Sequence, residues 1–474
     1  MSAAGTARRG RDLGPIGLVA AVASSFGVML LQVTGMIAAA ARLDDTTGSS
    51  GTVAMLAQIL AFVFLGLAVY VAAIVTSNTV ATVVAGRVRS IALLRLLGSS
   101  ARRLRGRLAL EGLVVGALGS VAGLVLGTGL AIGIEALAVA AGLFPWTGYG
   151  YLDPTLALPV VAVTLTTTLG TWAGSRRVLE VTPLEALGGA NERPHAALRS
   201  RAGRRVLAIV AWVLGGLLLL AGLLIGFVSP VGILVAFPGG VLSFAGVVWG
   251  ADIVMPPVLR LVGRISTLLL RGPSAVPARL AAENALRYPE RSARSTIGVV
   301  IGVTLITTFV VAVQGFATMV KAAQDQSPEA YEGIDAMLTA VTTVFAILIG
   351  FSALIAAIGL VNTLALSVLQ RTREIGLLRA LGLVRRQLTA TILAEAAQLA
   401  VTAVVVGLVL GGVYGWVGAQ SLLGAVVGGI VLPTPPWALL GVTVLGAAAL
   451  ALVASALPAR RALRLAPIAA LGAD

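Results

Sequence analysis

Runs of apolar residues longer than 18 recur along the whole chain, separated by short arginine-rich stretches. A helical run of that length spans the hydrocarbon of a bilayer, and inside lipid a backbone must satisfy its own polar groups. With 58% of its 474 residues hydrophobic and 11% charged, the chain has too little polar surface for a soluble globule. Its mean hydropathy of +1.01 agrees. The fold class is therefore an all-α polytopic membrane protein. The pattern predicts ten spans at residues 14–41, 52–84, 108–140, 152–175, 206–228, 238–260, 296–320, 337–369, 388–418 and 436–458. Pro230, Pro238, Gly239 and Gly240 interrupt the pattern between the fifth and sixth. The first run opens with arginines, as a signal peptide would, but its apolar part of about 27 residues is too long for one; it reads as an uncleaved first span.

The charge is arranged as sharply as the hydropathy. Of 34 basic residues, 33 are arginine and one is Lys321. Arg8, Arg9 and Arg11 precede span one; segments 85–107, 176–205 and 260–295 carry seven arginines each, 370–387 carries five and the tail three. The alternate loops hold Arg42 and Lys321 alone, a split of 32 to 2. By the positive-inside rule both termini face the cytoplasm, in what the arginine-for-lysine bias marks as a bacterial plasma membrane. Anionic inner-leaflet lipid accounts for most of this belt, so the net charge of +15 does not call for nucleic acid. There is no cysteine, and the one histidine, His195, lies in a polar loop beside Pro194, so no disulfide, thiolate or metal site is expected. The loops opposite the arginines are short: 42–51, with Asp44 and Asp45, and 321–336, with Asp325, Glu329, Glu332 and Asp335. No sizeable outer domain fits in them.

Displaced by 284 positions, the chain repeats itself. "GRVRSIALLRLLG" (86–98) returns as "QRTREIGLLRALG" (370–382), aligning Arg87, Arg89, Arg95 and Gly98 with Arg371, Arg373, Arg379 and Gly382. Asn78-Thr79 matches Asn362-Thr363, Glu111 matches Glu395, Gly123 and Gly127 match Gly407 and Gly411, and Pro183 matches Pro467. Each unit holds four spans and begins on the same side, so the units are parallel repeats about an axis along the membrane normal. The expected organisation is a cytoplasmic N-terminus (1–13), a first four-helix unit (14–190), a two-helix connector (191–282) and a second four-helix unit (283–474).

A helix from residue 52 to 97 would be roughly 70 Å long against a core of about 30 Å, so span two must project beyond the membrane or bend onto it. Gly98 and Gly382 stand where a left-handed cap would end it, with Arg95 and Arg379 near its carbonyl end. A second basic piece follows, Arg102 and Arg103 in one unit and Arg385 and Arg386 in the other. The result is a bent cytosolic rod, present twice, with a leucine stripe (Leu377, Leu378, Leu381, Leu388) beyond what solvation needs. Two such rods suit a two-fold symmetric partner.

At these residues the sequence resembles the FtsX-like permease family, the membrane subunits of MacB-type (type VII) ABC transporters. "RTREIGLLRALGLVRRQL" (371–388), "NALRYPERSARSTIGVVIG" (284–302) and "LPARRALRLAPIAAL" (457–471) carry the resemblance. It implies that segments 87–105 and 371–388 contact the two copies of a cytoplasmic ATPase, one permease chain serving both. Glu374 would sit at that surface; its counterpart is Ser90. ATP and Mg would be bound by the partner, and no cofactor by this chain. In keeping with this, the sequence has no G-x-x-x-x-G-K-[ST] phosphate loop. MacB-like members carry a large outer domain between their first two helices, and bacitracin-type ten-span members carry one in the second half; this chain has room for neither. A substrate entering sideways from the bilayer fits better, such as a lipophilic or amphipathic drug, peptide or lipid. Control of an outer partner without transport is the alternative. An ion-coupled secondary transporter would need mid-span charges, which are nearly lacking.

Other residues have structural readings beside their functional ones. Asp252, before Met255-Pro256-Pro257, reads as an interfacial ion pair with Arg260 as its nearest partner. Glu135 is similar at the other side. Glu111 and Glu395 read as partners of juxtamembrane arginines, or as holders of the cytoplasmic elbow together with Pro183 and Pro467. Gln32, Gln58, Gln314 and Gln398 read as inter-span hydrogen-bonding groups, and the glycine-rich runs as sites of close helix approach. No residue set is placed for catalysis, and no substrate-binding residue is indicated.

Overall fold

Inside a bilayer the backbone's polar groups pair within their own segment, and the computed structural model does this with helices throughout. Among the described residues there is no strand. Those residues are 3–43, 99–140, 153–175, 197–269, 275–287, 289–326 and 384–432, with isolated positions in 59–77, 342–353 and 437–449. The helices are α1 (Ala3–Leu43), α2 (Ala101–Ala140), α3 (Ala157–Gly174), α4 (Ala197–Gly226), α5 (Gly232–Trp249), α6 (Ala251–Leu269), α7 (Ala275–Arg287), α8 (Pro289–Gln326) and α9 (Arg385–Val427). Seven contain stretches long and apolar enough to cross a membrane: Ile16–Met36, Arg102–Ala140, Pro154–Ala173, Gly203–Gly226, Gly232–Trp249, Thr296–Ala322 and Gln387–Val427. They correspond to spans one, three, four, five, six, seven and nine. Spans two, eight and ten fall largely outside the described residues.

The sixth span differs from its expected 238–260. It runs from Gly232 to Trp249, and the helix continues through Pro238. The Pro-Gly-Gly run marks contact rather than a break. A Cβ on Gly239 would stand 2.7 Å from the Leu219 nitrogen of α4, so glycine is what lets the two helices touch. Ser229, Pro230 and Val231 form the turn between them, with the Ser229 carbonyl accepting from the Gly232 N–H at 3.1 Å. The segment 260–295, expected as a loop, contains the rest of α6, all of α7 and the start of α8.

The chain forms two compact units, Met1–His195 with Met319–Phe351, and Ala196–Thr318 with Ser352–Asp474. The two connector spans share a unit with α9.

In the first unit, α1, α2 and α3 pack around a seam of small and hydroxyl residues. Ala20, Ala23 and Val163 are buried together. Ser24 donates to the Ser120 carbonyl at 2.9 Å, and the Ser120 and Thr164 hydroxyls meet at 2.9 Å. Gln32 reaches Thr128 at 3.4 Å. Thr164, Thr167, Thr168 and Thr171 each donate to the carbonyl four residues back, so α3 buries hydroxyls without orphaning them. Lipid gives no hydrophobic drive for helices to associate, so this close packing and bonding holds the seam.

In the second unit, α9 is flanked by the connector. Tyr414 meets Ser243 of α5 at 2.8 Å and packs edge-on against Phe244, with ring centroids 6.3 Å apart. A Cβ on Gly226 of α4 would lie 2.5 Å from the Ser421 Cα. At the far end of α9, Gln420 is fully buried, donating to the Gly429 carbonyl at 2.7 Å and accepting from the Val431 N–H at 3.1 Å. Gly428 closes the helix with φ 66°, a left-handed cap that a side chain would strain.

Candidate functional site: the elbows entering spans three and nine

The second basic piece of each repeat is not a separate segment. Arg102 and Arg103 lie in the first turn of α2, and Arg385 and Arg386 open α9; both helices then run into the membrane without a break. Ser100 accepts from the Arg103 N–H at 3.3 Å as the cap of α2. Val384 holds the same position before α9, where the Gln387 side chain accepts from the Val384 N–H at 3.3 Å. Helices of 40 and 43 residues are roughly 60 and 65 Å long, twice the hydrocarbon thickness of about 30 Å. Each is therefore one unbroken helix longer than the hydrocarbon is thick. Arg102 and Arg103 are exposed in the first turn of α2.

Beyond this the two elbows differ. Glu111 pairs with Arg107 at 3.5 Å, one turn back, with the carboxylate 24% exposed. Its counterpart Glu395 is 4% exposed, and one turn before it stands Thr391 in place of an arginine. Leu388, counted in the leucine stripe, is 1% exposed and belongs to the packing of α9.

In the first unit Arg105 ties the elbow to span four. Its Nε and Nη2 both donate to the Trp172 carbonyl at 3.2 Å, and its guanidinium lies 4.0 Å from the centre of the Trp172 ring. That carbonyl is at the end of α3, where a cation is favoured by the helix dipole. Repeat comparison could not reveal this clamp, because Thr389 and Ala456 occupy the matching positions.

Asp252 pairs with Arg204 at 3.6 Å and Arg205 at 3.3 Å rather than with Arg260. The reason is topological. α4 and α5 form an antiparallel hairpin, so the start of α4 returns to the level at which α5 ends. Gln398 donates to Ser266 of α6 at 2.9 Å, the inter-helix bond its type implied. On the opposite side, Asp153 caps the turn entering α3 by accepting from the Thr155 N–H at 2.8 Å, and this bond lowers its carboxyl pKa below the ordinary value.

The glycine-bearing faces of the two repeats, with Gly123/Gly407 and Gly127/Gly411 in common, do the same work in both. A Cβ on Gly119, Gly123 or Gly127 would stand 2.9, 2.6 and 3.0 Å from the Cβ of Ala20, Ser24 and Val28 on α1. On Gly407, Gly411 and Gly415 it would stand 2.7, 2.5 and 2.9 Å from the Cβ of Val303, Thr307 and Val311 on α8. Opposed residues are 99 apart in the first unit (Ser24 to Gly123) and 104 apart in the second (Val303 to Gly407). The loop after span seven is longer than the one after span one by a similar amount. A longer loop thus absorbs the difference while the glycine face keeps its partner.

Arg87, Arg89, Arg95, Gly98, Arg371, Arg373, Glu374, Arg379, Gly382, Pro183, Pro467 and Gln58 lie outside the described residues, as do the side chains of Arg385 and Arg386. Among the described residues no group of three or more acidic, histidine or cysteine side chains could hold a metal.

The chain is 32% identical over 139 residues to an uncharacterised ABC transporter permease, YknZ, of Bacillus subtilis, covering 29% of this chain and 33% of that one. It is 40% identical over 121 residues to the macrolide export ATP-binding/permease protein MacB of Nitrobacter winogradskyi, 25% and 18% of the two chains. An uncharacterised ABC transporter permease of Mycobacterium tuberculosis, Rv0072, matches at 32% over 147 residues, 31% and 36% of the two. The chain thus spans a third or so of these relatives at most. The model of the FtsX-like permease C-terminal domain matches residues 62–183 and again 346–467, two segments displaced by the same 284 positions and together more than half of the chain. The duplicated elbow-and-span unit therefore has a name, and the chain belongs to the FtsX-like permease family, carrying its domain twice.

Proposed function

We propose that the chain is the membrane subunit of an ABC exporter, in which a separate cytoplasmic ATPase dimer drives outward movement of a lipophilic or amphipathic substrate. One observation carries this reading: the arginine-rich elbow is written twice at the same place, and α2 and α9 rise from it as unbroken rods roughly 60 Å and 65 Å long. A displacement applied to the elbow travels along such a rod into the membrane without a hinge to absorb it. The arginine-bearing side faces the cytoplasm, where each elbow meets one ATPase subunit through Arg87, Arg89, Arg95, Arg102 and Arg103, or through Arg371, Arg373, Glu374, Arg379, Arg385 and Arg386. Glu111, Glu395, Pro183 and Pro467 hold the elbows. ATP and Mg belong to the partner. Short outer loops favour a substrate taken from the bilayer over one caught outside.

The test is the double variant Arg379→Glu with Arg385→Glu, co-expressed with the stand-alone ABC ATPase of the host genome that co-purifies with the native chain. The variant inserts normally but loses ATPase association and turnover. Unchanged complex and turnover would remove the assignment.

A further inference from the structure

We infer that α6 is an oblique interfacial helix that binds anionic phospholipid in the leaflet on the arginine-rich side, through Arg260 and Arg264. The first ground is depth. Ser243 of α5 is level with Tyr414 of α9, and Ser266 of α6 is level with Gln398. Taking the two spans as near parallel, Gln398 lies sixteen residues, about 24 Å, from the level of Tyr414. A straight continuation of α5 would carry Ser266, 23 residues on, about 34 Å from the same level. The helix axis therefore turns after Gly250, by roughly 50–60°, and α6 travels more sideways than inward. Asp252, fixed to Arg204 and Arg205 at the membrane end of α4, marks where the turn begins.

The second ground is the face α6 leaves uncovered. Met255, Leu259 and Val262 are buried against the protein. Ile253, Leu261, Ile265 and Leu268 are exposed, at 39, 57, 46 and 75%. Their successive spacings of eight, four and three residues place them on one side of the helix as a stripe. Arg260 and Arg264 are exposed beside that stripe, and neither has an acidic partner among the described residues. Next to it, α7 presents a polar face instead, with Arg279 and Glu283 paired at 3.0 Å. An apolar stripe edged by arginines that have no acidic partner among the described residues, oblique to the membrane and starting at its boundary, matches an acyl-chain and phosphate surface rather than water. Ser266, which bonds to Gln398, links this helix to the rod of span nine.

The chain has no cysteine, so one introduced residue carries one label. Leu261→Cys, Ile265→Cys and Glu283→Cys, in the full chain, take an environment-sensitive fluorophore and are reconstituted in phosphatidylcholine vesicles containing a minor brominated lipid. The probes at 261 and 265 are quenched by brominated acyl chains, while that at 283 is quenched by aqueous iodide. Brominated phosphatidylglycerol outcompetes brominated phosphatidylcholine at 265 by about fivefold, the effect of one basic group at an anionic surface. Added salt reduces this preference in the native background, and Arg260→Gln with Arg264→Gln abolishes it. Iodide access at 261 and 265 equal to that at 283 would overturn the inference. So would quenching without headgroup preference, or a preference indifferent to salt and to both arginines.

Discussion

Gly123 and Gly129 lie on the same helix, six residues apart, and adding one methyl to each separates helix contact from helix propensity. A Cβ at 123 would meet the Ala21 carbonyl at 2.4 Å, the Ser24 Cβ at 2.6 Å and the Ser25 nitrogen at 2.8 Å. Two of these are backbone, so no side chain can swing away, and α1 and α2 must separate by about an ångström. Overpacking of this kind costs about 1–3 kcal/mol. At 129 nothing lies within 4 Å. Both substitutions gain the same propensity term, about 1 kcal/mol. It cancels in the comparison, leaving Gly123→Ala less stable than Gly129→Ala by about 1–3 kcal/mol. The assay is reversible unfolding in mixed micelles, with Gly411→Ala and Gly412→Ala as the same pair in the second repeat. The Cβ at 411 would be 2.5 Å from that of Thr307, and at 412 there is open space. Equal stability within each pair would refute the reasoning.

The remaining predictions concern polar clamps. Arg105→Ala removes two hydrogen bonds and the contact over the Trp172 ring, lowering stability of the first unit by about 1–2 kcal/mol and raising hydrogen exchange at the end of α3. Arg105→Lys restores less than half, since a single ammonium cannot hold the fork. Asp252→Asn costs about 1–2 kcal/mol and Arg260→Gln close to none, because Arg204 and Arg205 are the partners. An equal loss from Arg260→Gln would reinstate the pairing read from sequence. The lowered pKa of Asp153 means its cap stabilises above the ordinary carboxylate pKa and is lost as pH falls through the folded value. Protection factors at Thr155 and Leu156, taken relative to intrinsic exchange at each pH, therefore fall under acid, and in Asp153→Ala they stay low and no longer change with pH.

Much of the architecture was legible because lipid leaves few choices: run length located the membrane helices, and the 284-residue displacement located their duplication. Edges failed where residue type carried two meanings. Pro238, Gly239 and Gly240 look like a break, yet in a helix against another helix glycine marks contact and proline is tolerated. Loop 260–295 looked merely basic because its apolar residues are spaced as a stripe and never form a run; α6 needed periodicity, not hydropathy. Nearness in sequence points Asp252 to Arg260, while the hairpin brings Arg204 and Arg205 back to it from 48 and 47 positions away. The Arg105–Trp172 clamp was invisible to repeat comparison because only one unit has it. Burial of Leu388 shows the limit of reading a stripe as a docking face when its helix is also a packed span.

The central claim is that one chain supplies both elbows to one ATPase dimer. Native mass measurement after co-expression with stand-alone ABC ATPases of the host genome tests this most directly. The account predicts one copy of this 474-residue chain with two ATPase subunits. A complex holding two copies of the chain, or a chain that binds no ATPase while stably folded, would contradict it.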